Sequence, residues 1–153
     1  MAADAQPVGL TGGCQCGAVR YRLDAAPTRA NVCHCRMCQK AGGAPFMAFA
    51  GVRLVELVWT RGAPKIFVSS AIGERGFCGD CGTPLTYCCY GRDRVSVTIG
   101  SLDQPAAVAP VVQYAADSRL AWLDDVDQLP FGNFSNPVDP TRLGNRQHPD
   151  HDT

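Results

Sequence analysis

Nine cysteines in 153 residues, seven of them in three tight groups, limit what this chain can become more than any other feature it has. The groups are Cys14-x-Cys16, Cys33-His34-Cys35-Arg36-Met37-Cys38 and Cys78-x-x-Cys81. A disulfide scaffold carries an even number of cysteines, usually in a shorter, exported chain. Here the number is odd, and Met1-Ala-Ala-Asp-Ala-Gln-Pro7 has neither the positive nor the apolar segment of a signal peptide. The expectation is a cytoplasmic protein whose clustered thiols stay reduced and serve as metal ligands.

The rest of the composition fits one globular domain. Hydrophobic residues make up 46% of the chain and charged residues 18%, enough apolar surface for a core and too little charge for a solvated coil. Lys and Arg number 14 against 14 Asp and Glu, so no net charge recruits nucleic acid or an anionic membrane. The longest apolar stretches, Phe46–Val52 and Ala106–Val112, are far too short to span a bilayer.

Alternation with period two dominates the patterning. Val19, Tyr21 and Leu23 alternate with Arg20 and Arg22, the pattern of a half-buried strand. Further strands are expected at Pro45–Ala50, Leu54–Thr60, Lys65–Val68, Leu85–Tyr90 and Arg94–Ile99, with Gly, Pro and Asp turns between them. Helical signal is confined to a short turn over Arg36–Ala41 that stops at Gly42-Gly43. A second begins at Ser118, with Leu120, Leu123 and Val126 on one side, and ends before Pro130. From Ser135 onward Asn, Pro, Asp, Arg and His read as a mobile tail. The expectation is a mainly β, single-domain fold with short helical turns.

Two chelating loops, Cys14-x-Cys16 and Cys78-x-x-Cys81, each followed by glycine, can supply the four tetrahedral corners that a structural zinc takes. The alternative is a redox pair at Cys78 and Cys81, which the lack of a surrounding βαβ pattern disfavours. Cys33, Cys35 and Cys38 offer three thiols and no local fourth, the donor count of a reactive site with an open position. A substrate thiol bound at such a corner loses its proton and becomes a nucleophile at neutral pH. Cys88 or Cys89 could close the tetrahedron, but adjacent strand residues face opposite ways, so at most one could turn inward; buried apolar roles suit both better. His34 is another possible fourth ligand, yet between two ligating cysteines it should point away, to the edge of the site. His148 and His151 read as bystanders in the tail.

Seven thiolates and two zinc ions would turn the formal zero charge into −3, since seven negative charges meet four positive ones. Arg36, Lys40 and Arg75 lie beside the clusters and can offset that excess or grip substrate carboxylates; Arg36 and Lys40 are the candidate substrate-binding residues.

Three motifs carry a resemblance. Gly12-Gly-Cys-Gln-Cys-Gly17, Cys33-His-Cys-Arg-Met-Cys-Gln-Lys-Ala-Gly42 and Arg75-Gly-Phe-Cys-Gly-Asp-Cys-Gly-Thr-Pro-Leu85 resemble the glutathione-dependent formaldehyde-activating enzyme family. That family shares its domain with the centromere protein V group. The resemblance runs through Gly100-Ser-Leu-Asp103 and Trp122 to Pro130, giving a domain over 8–131 and a polar C-terminal tail over 132–153. It implies an Mss4-like zinc-binding β fold, a structural zinc at Cys14, Cys16, Cys78 and Cys81, and a more labile or catalytic zinc at Cys33, Cys35 and Cys38. It also implies carbon–sulfur lyase activity of the S-(hydroxymethyl)glutathione synthase kind, in which a thiol adds to a small aldehyde or the adduct is cleaved. Many relatives carry a His-Ile pair where this chain has Val112-Gln113, so the substrate pocket differs there. The alternatives are a non-catalytic, zinc-stapled binding module and a thiol redox or metal-buffering protein.

Overall fold

The computed structural model describes residues 8–132 and 144–151. Ten strands and one α-helix follow in order: β1 (Thr11–Gly13), β2 (Arg20–Leu23), β3 (Arg29–Cys33), α1 (Arg36–Gly42), β4 (Met47–Arg53), β5 (Leu57–Arg61), β6 (Lys65–Ser70), β7 (Gly73–Phe77), β8 (Pro84–Cys89), β9 (Arg94–Thr98) and β10 (Val112–Tyr114). Short 3₁₀ turns at Leu54–Glu56, Ile99–Ser101, Pro105–Ala107 and Ala116–Ser118, and a longer one at Ala121–Gln128, complete it. The mainly β, single-domain expectation holds.

The strands form a three-stranded sheet, β1-β2-β5, and a seven-stranded sheet in the order β10-β3-β4-β9-β8-β7-β6. All pairings are antiparallel except β10 on β3. Apolar residues of both sheets meet in one core, where Tyr21, Leu23, Ala50, Val52, Leu85 and Val97 are fully buried. This is the burial that the alternating pattern of β2 and β9 encodes: every second side chain enters the core.

One member of that pattern departs from it. Arg22 is half-exposed as the alternation implies, whereas Arg20 is only 2% exposed and meets Asp103 in a two-pronged pair at 2.8 and 2.5 Å. A buried guanidinium is tolerable because a carboxylate fills its fork. Leu54–Glu56 also departs, forming a 3₁₀ turn ahead of β5 rather than the start of a strand. Strands β1, β3, β7 and β10 lie outside the expected set. At the free edge of the large sheet, Ile66, Phe67 and Val68 of β6 are all more than half exposed. No helix among the described residues is long and apolar enough to cross a membrane.

Candidate metal centres and the adjoining clefts

The four-cysteine group joins two loops built alike. In the first, the turn after β1 folds back so that Gly17 N–H donates to Cys14 C=O at 3.1 Å. In the second, Gly82 N–H donates to Cys78 C=O at 2.9 Å. Gly17 and Gly82 sit at φ of 77° and 78°, a left-handed conformation that a side chain disfavours, which explains a glycine directly after the second cysteine of each loop. Backbone N–H groups of Val19 and Asp80 point at the sulfurs of Cys14 and Cys78, at 3.3 and 3.4 Å.

The resulting sulfur spacing suits a metal. All four Sγ atoms lie within 4.8 Å of one another, with Cys14 to Cys16 at 3.5 Å and Cys16 to Cys78 at 3.9 Å. Four sulfurs about 2.3 Å from a tetrahedral zinc stand about 3.8 Å apart, whereas a disulfide needs about 2.05 Å. The thiols also compete for ionisation. Burial pushes the Cys81 thiol up, but the Thr83 hydroxyl and the N–H groups of Thr83 and Cys16 bring it down to about 6. Cys16 accepts from the Ala18 N–H, yet desolvation and the thiols of Cys14, Cys81 and Cys78 push it up to about 12. Four thiolates at this distance would need a cation at their centre, and the spacing is one that a divalent ion could fill.

Residues 144–151 lie against this centre. His148 N–H donates to Gln15 C=O at 2.7 Å, and its ring packs on Gly17, where an added Cβ would stand 2.3 Å from the ring. Arg20 donates to the His151 carbonyl at 2.8 Å. The part of the tail over 144–151 is therefore pinned to the Cys14–Cys16 loop, and His148 and His151 sit at its rim. Residues 133–143, 152 and 153, also expected in the tail, lie outside the described residues.

The three-cysteine group forms where β3 runs into α1. Cys33 ends the strand, Cys35 caps the helix with its sulfur accepting from Cys38 N–H at 3.4 Å, and Cys38 lies one turn on. Gly43 at φ 59° closes the helix as the Gly42-Gly43 pair implies. The three sulfurs lie within 4.8 Å of one another. Burial works against the Cys35 thiolate, but the Cys38 N–H and the neighbouring thiols hold its thiol below the ordinary value. Burial pushes Cys38 up to about 12 despite the guanidinium beside it.

That guanidinium belongs to Arg75. It lies three residues before Cys78 in sequence, yet it faces the other centre: Nη2 is 3.4 Å from Cys38 Sγ, Nη1 is 3.7 Å from Met47 Sδ, and the group lies over the Tyr87 ring at 5.0 Å. Neither Cys88 nor Cys89 joins the three sulfurs; Cys88 Sγ points to the Arg94 carbonyl at 3.7 Å. His34 is not among the grouped donors either. It turns away from the sulfurs as the motif implies, but it is 2% exposed rather than at an open edge, with Nε2 donating to Gln113 Oε1 at 2.8 Å. Gln39, also buried, donates to the carbonyls of His34 and Ser118 at 2.7 and 2.9 Å. Gln39 and Gln113 thus tie the 113–118 segment to the cysteine loop, a role the sequence reading did not assign to either.

Two clefts flank α1. The larger, about 460 Å³, lies between the helix and the β6–β8 edge, with Met37, Met47, Phe67, Phe77 and Pro84 in its walls and Lys40 and Arg75 as its cations. It adjoins the three-cysteine group through Arg75 and Met47. The smaller, about 280 Å³, is bordered by Arg36, Gln39, Lys40 and Trp122. Lys40 therefore borders both clefts. Arg36 borders only the smaller one and donates to Gln39 Oε1 at 2.7 Å.

Fold and site together define a small β protein with two cysteine groups able to hold metal ions. The chain belongs to the glutathione-dependent formaldehyde-activating enzyme family, whose sequence profile matches residues 9–117. A protein of Schizosaccharomyces pombe named as an uncharacterized lyase is 32% identical over 76 residues, covering 50% of this chain and 55% of that protein. The chain thus spans about half the length of this curated relative. A crystal structure of a Rhodobacter sphaeroides protein shares the fold, with a TM-score of 0.55 at 22% identity over 67% of this chain and 98% of that one.

Proposed function

We propose that this protein is a zinc-dependent carbon–sulfur lyase that joins a glutathione-like thiol to a small aldehyde, or cleaves the adduct. The observation that carries this reading is the three-sulfur group of Cys33, Cys35 and Cys38, which has no fourth protein donor among the described residues and lies beside a cleft. Family membership and the lyase name of the yeast relative support it. The four-cysteine group would hold a structural zinc and the three-cysteine group a labile or catalytic one. Zinc in such a site, when bound, acidifies a thiol and polarises a carbonyl.

The chain's own residues supply the rest. In the forward direction the thiol gives up its proton and its sulfur attacks the carbonyl carbon. The carbon–sulfur bond forms, the carbonyl π pair moves to oxygen, and a proton returns there. The reaction is redox-neutral and needs no further reactant. Arg75, held by Cys38 and Tyr87, places a fixed positive charge beside the sulfurs, suited to the developing alkoxide. Lys40 and Arg36, which both border the smaller cleft, would orient the carboxylates of the thiol there.

The test combines metal content with turnover. Protein purified under reducing conditions without chelator is expected to hold about two zinc ions, from four-thiol and three-thiol binding, and to accelerate exchange between glutathione and formaldehyde. Cys35→Ser should lose one zinc equivalent and the activity together; turnover that survives this substitution refutes the role of the second centre. A zinc-stapled binding module is the second reading, favoured by the exposed apolar residues Ile66, Phe67 and Val68 on an unpaired edge. It moves first if fully zinc-loaded protein turns over no thiol and aldehyde pair.

A further inference from the structure

We infer that the larger cleft holds an apolar substituent of the carbonyl partner, so that the preferred aldehyde is an alkyl or aryl one rather than formaldehyde. The inference rests on the lyase reading and names the substrate class of that same site.

The two clefts beside α1 differ in chemistry. The smaller offers Arg36 and Lys40, cations that meet carboxylates, beside a Gln39 whose amide is spent on His34, Ser118 and Arg36. The larger is walled mostly by thioether, phenyl and proline carbon, and no acidic side chain lines it. Of its two cations, Arg75 is already engaged by Cys38 and Tyr87. Arg36 and Lys40 give the smaller cleft two cations for the two carboxylates of a tripeptide thiol, which leaves the larger, apolar one for whatever hangs from the carbonyl carbon.

Size points the same way. The larger cleft has about 460 Å³, within the range of pockets for whole small molecules. Formaldehyde has no substituent to fill it. Phe67, 61% exposed on β6, also gains a reason for its position, since it walls the cleft at the sheet edge.

The probes are S-methylglutathione and S-hexylglutathione, stable thioethers whose alkyl groups stand for the carbon skeleton of the aldehyde. Binding to the zinc-loaded protein is measured by calorimetry, with no reliance on turnover. Each buried methylene strengthens binding about fourfold, so seating half of the added chain gives a preference for the hexyl compound of roughly thirtyfold. Phe67→Ser, and independently Ser69→Lys, which sets a charge in the same wall, should cut that preference at least about fivefold. Equal affinities for the two probes, no binding of either, or a preference that both variants leave intact overturns the assignment.

Exchange of glutathione with formaldehyde and with hexanal, followed by NMR, separates this failure from that of the lyase reading. Turnover of formaldehyde without a hexyl preference removes the apolar-substrate inference alone. A hexyl preference without turnover of any aldehyde removes the lyase reading and keeps the cleft as an apolar binding site.

Discussion

Replacing Asp103 by asparagine tests how the four-cysteine end of the molecule is held together. Asp103 is the centre of a buried polar junction: it takes both prongs of the Arg20 guanidinium and the Thr11 hydroxyl, the latter at 2.5 Å. The two side chains of the ion pair are 2% and 6% exposed, so water replaces little of what is lost. Removing one partner of a buried pair costs about 3–5 kcal/mol, because the other charge is left in low dielectric. The asparagine oxygen still accepts one bond, and the His151 carbonyl still accepts from Arg20 at 2.8 Å, which favours the lower end of that range. A loss of about 3 kcal/mol at pH 7 corresponds to a drop in Tm of about 10 °C for a domain of this size. Thermal and urea melts of zinc-saturated protein would measure it.

Acid adds a second, independent check on the same substitution. Burial pushes the Asp103 carboxyl up, but the Arg20 guanidinium and the Thr11 hydroxyl outweigh it and hold it below the usual carboxylate range. A group whose folded value lies below its unfolded value contributes its stability above the unfolded value, near 3.9, and loses it as pH falls through the folded one. The gap between wild type and Asp103→Asn should therefore be full at pH 6–7 and shrink below about pH 4. A gap under about 1 kcal/mol at pH 7, the size of a single exposed ion pair, refutes the reasoning. So does a gap that stays constant as pH falls below about 4.

Two further substitutions probe the three-cysteine centre. On the proposed lyase mechanism, Arg75→Met should lower kcat/KM about a hundredfold at unchanged zinc content, since the fixed donor beside Cys38 is removed. Arg75→Lys should recover under tenfold, because a point charge cannot both reach Cys38 and lie flat on Tyr87; steady-state kinetics beside metal analysis checks both. Gln113→Leu leaves the buried His34 Nε2–H without its acceptor and should cost about 1–2 kcal/mol in urea melts, while Gln113→Glu keeps an acceptor and should cost less.

What the sequence made legible follows from the range over which its signals act. The strands that alternate apolar and polar residues, and the helix that ends at Gly42-Gly43, are local patterns, and they stand where the pattern puts them. Strand β7, Gly73-Glu-Arg-Gly-Phe77, has no such alternation; its place comes from pairing on both sides, with β6 and β8. Strand β10 is three residues long, and its pairing is parallel to a strand some eighty positions earlier, which no short-range periodicity encodes. Alternation sets Arg20 on the polar face of β2, because it assigns faces but cannot see a carboxylate 83 residues away.

Arg75 shows the same limit at the site, and its position has a physical cause. Its closeness to Cys78 in sequence ties it to the four-cysteine group, but a strand rises about 3.3 Å per residue, so three positions carry it about 10 Å away. That distance, with the Arg75–Tyr87 pairing of β7 on β8, delivers the guanidinium to Cys38 instead. The register shifts between Gly76 and Phe77, directly between the arginine and the cysteine loop. One strand therefore serves both centres, with Arg75 at the three-cysteine group and Phe77 leading into Cys78 of the other. The loop that the four-cysteine group closes anchors the end of β7, and the register of β7 on β8 sets where the Arg75 charge stands. The two groups are thus joined by one strand, without contact between the two sets of sulfurs.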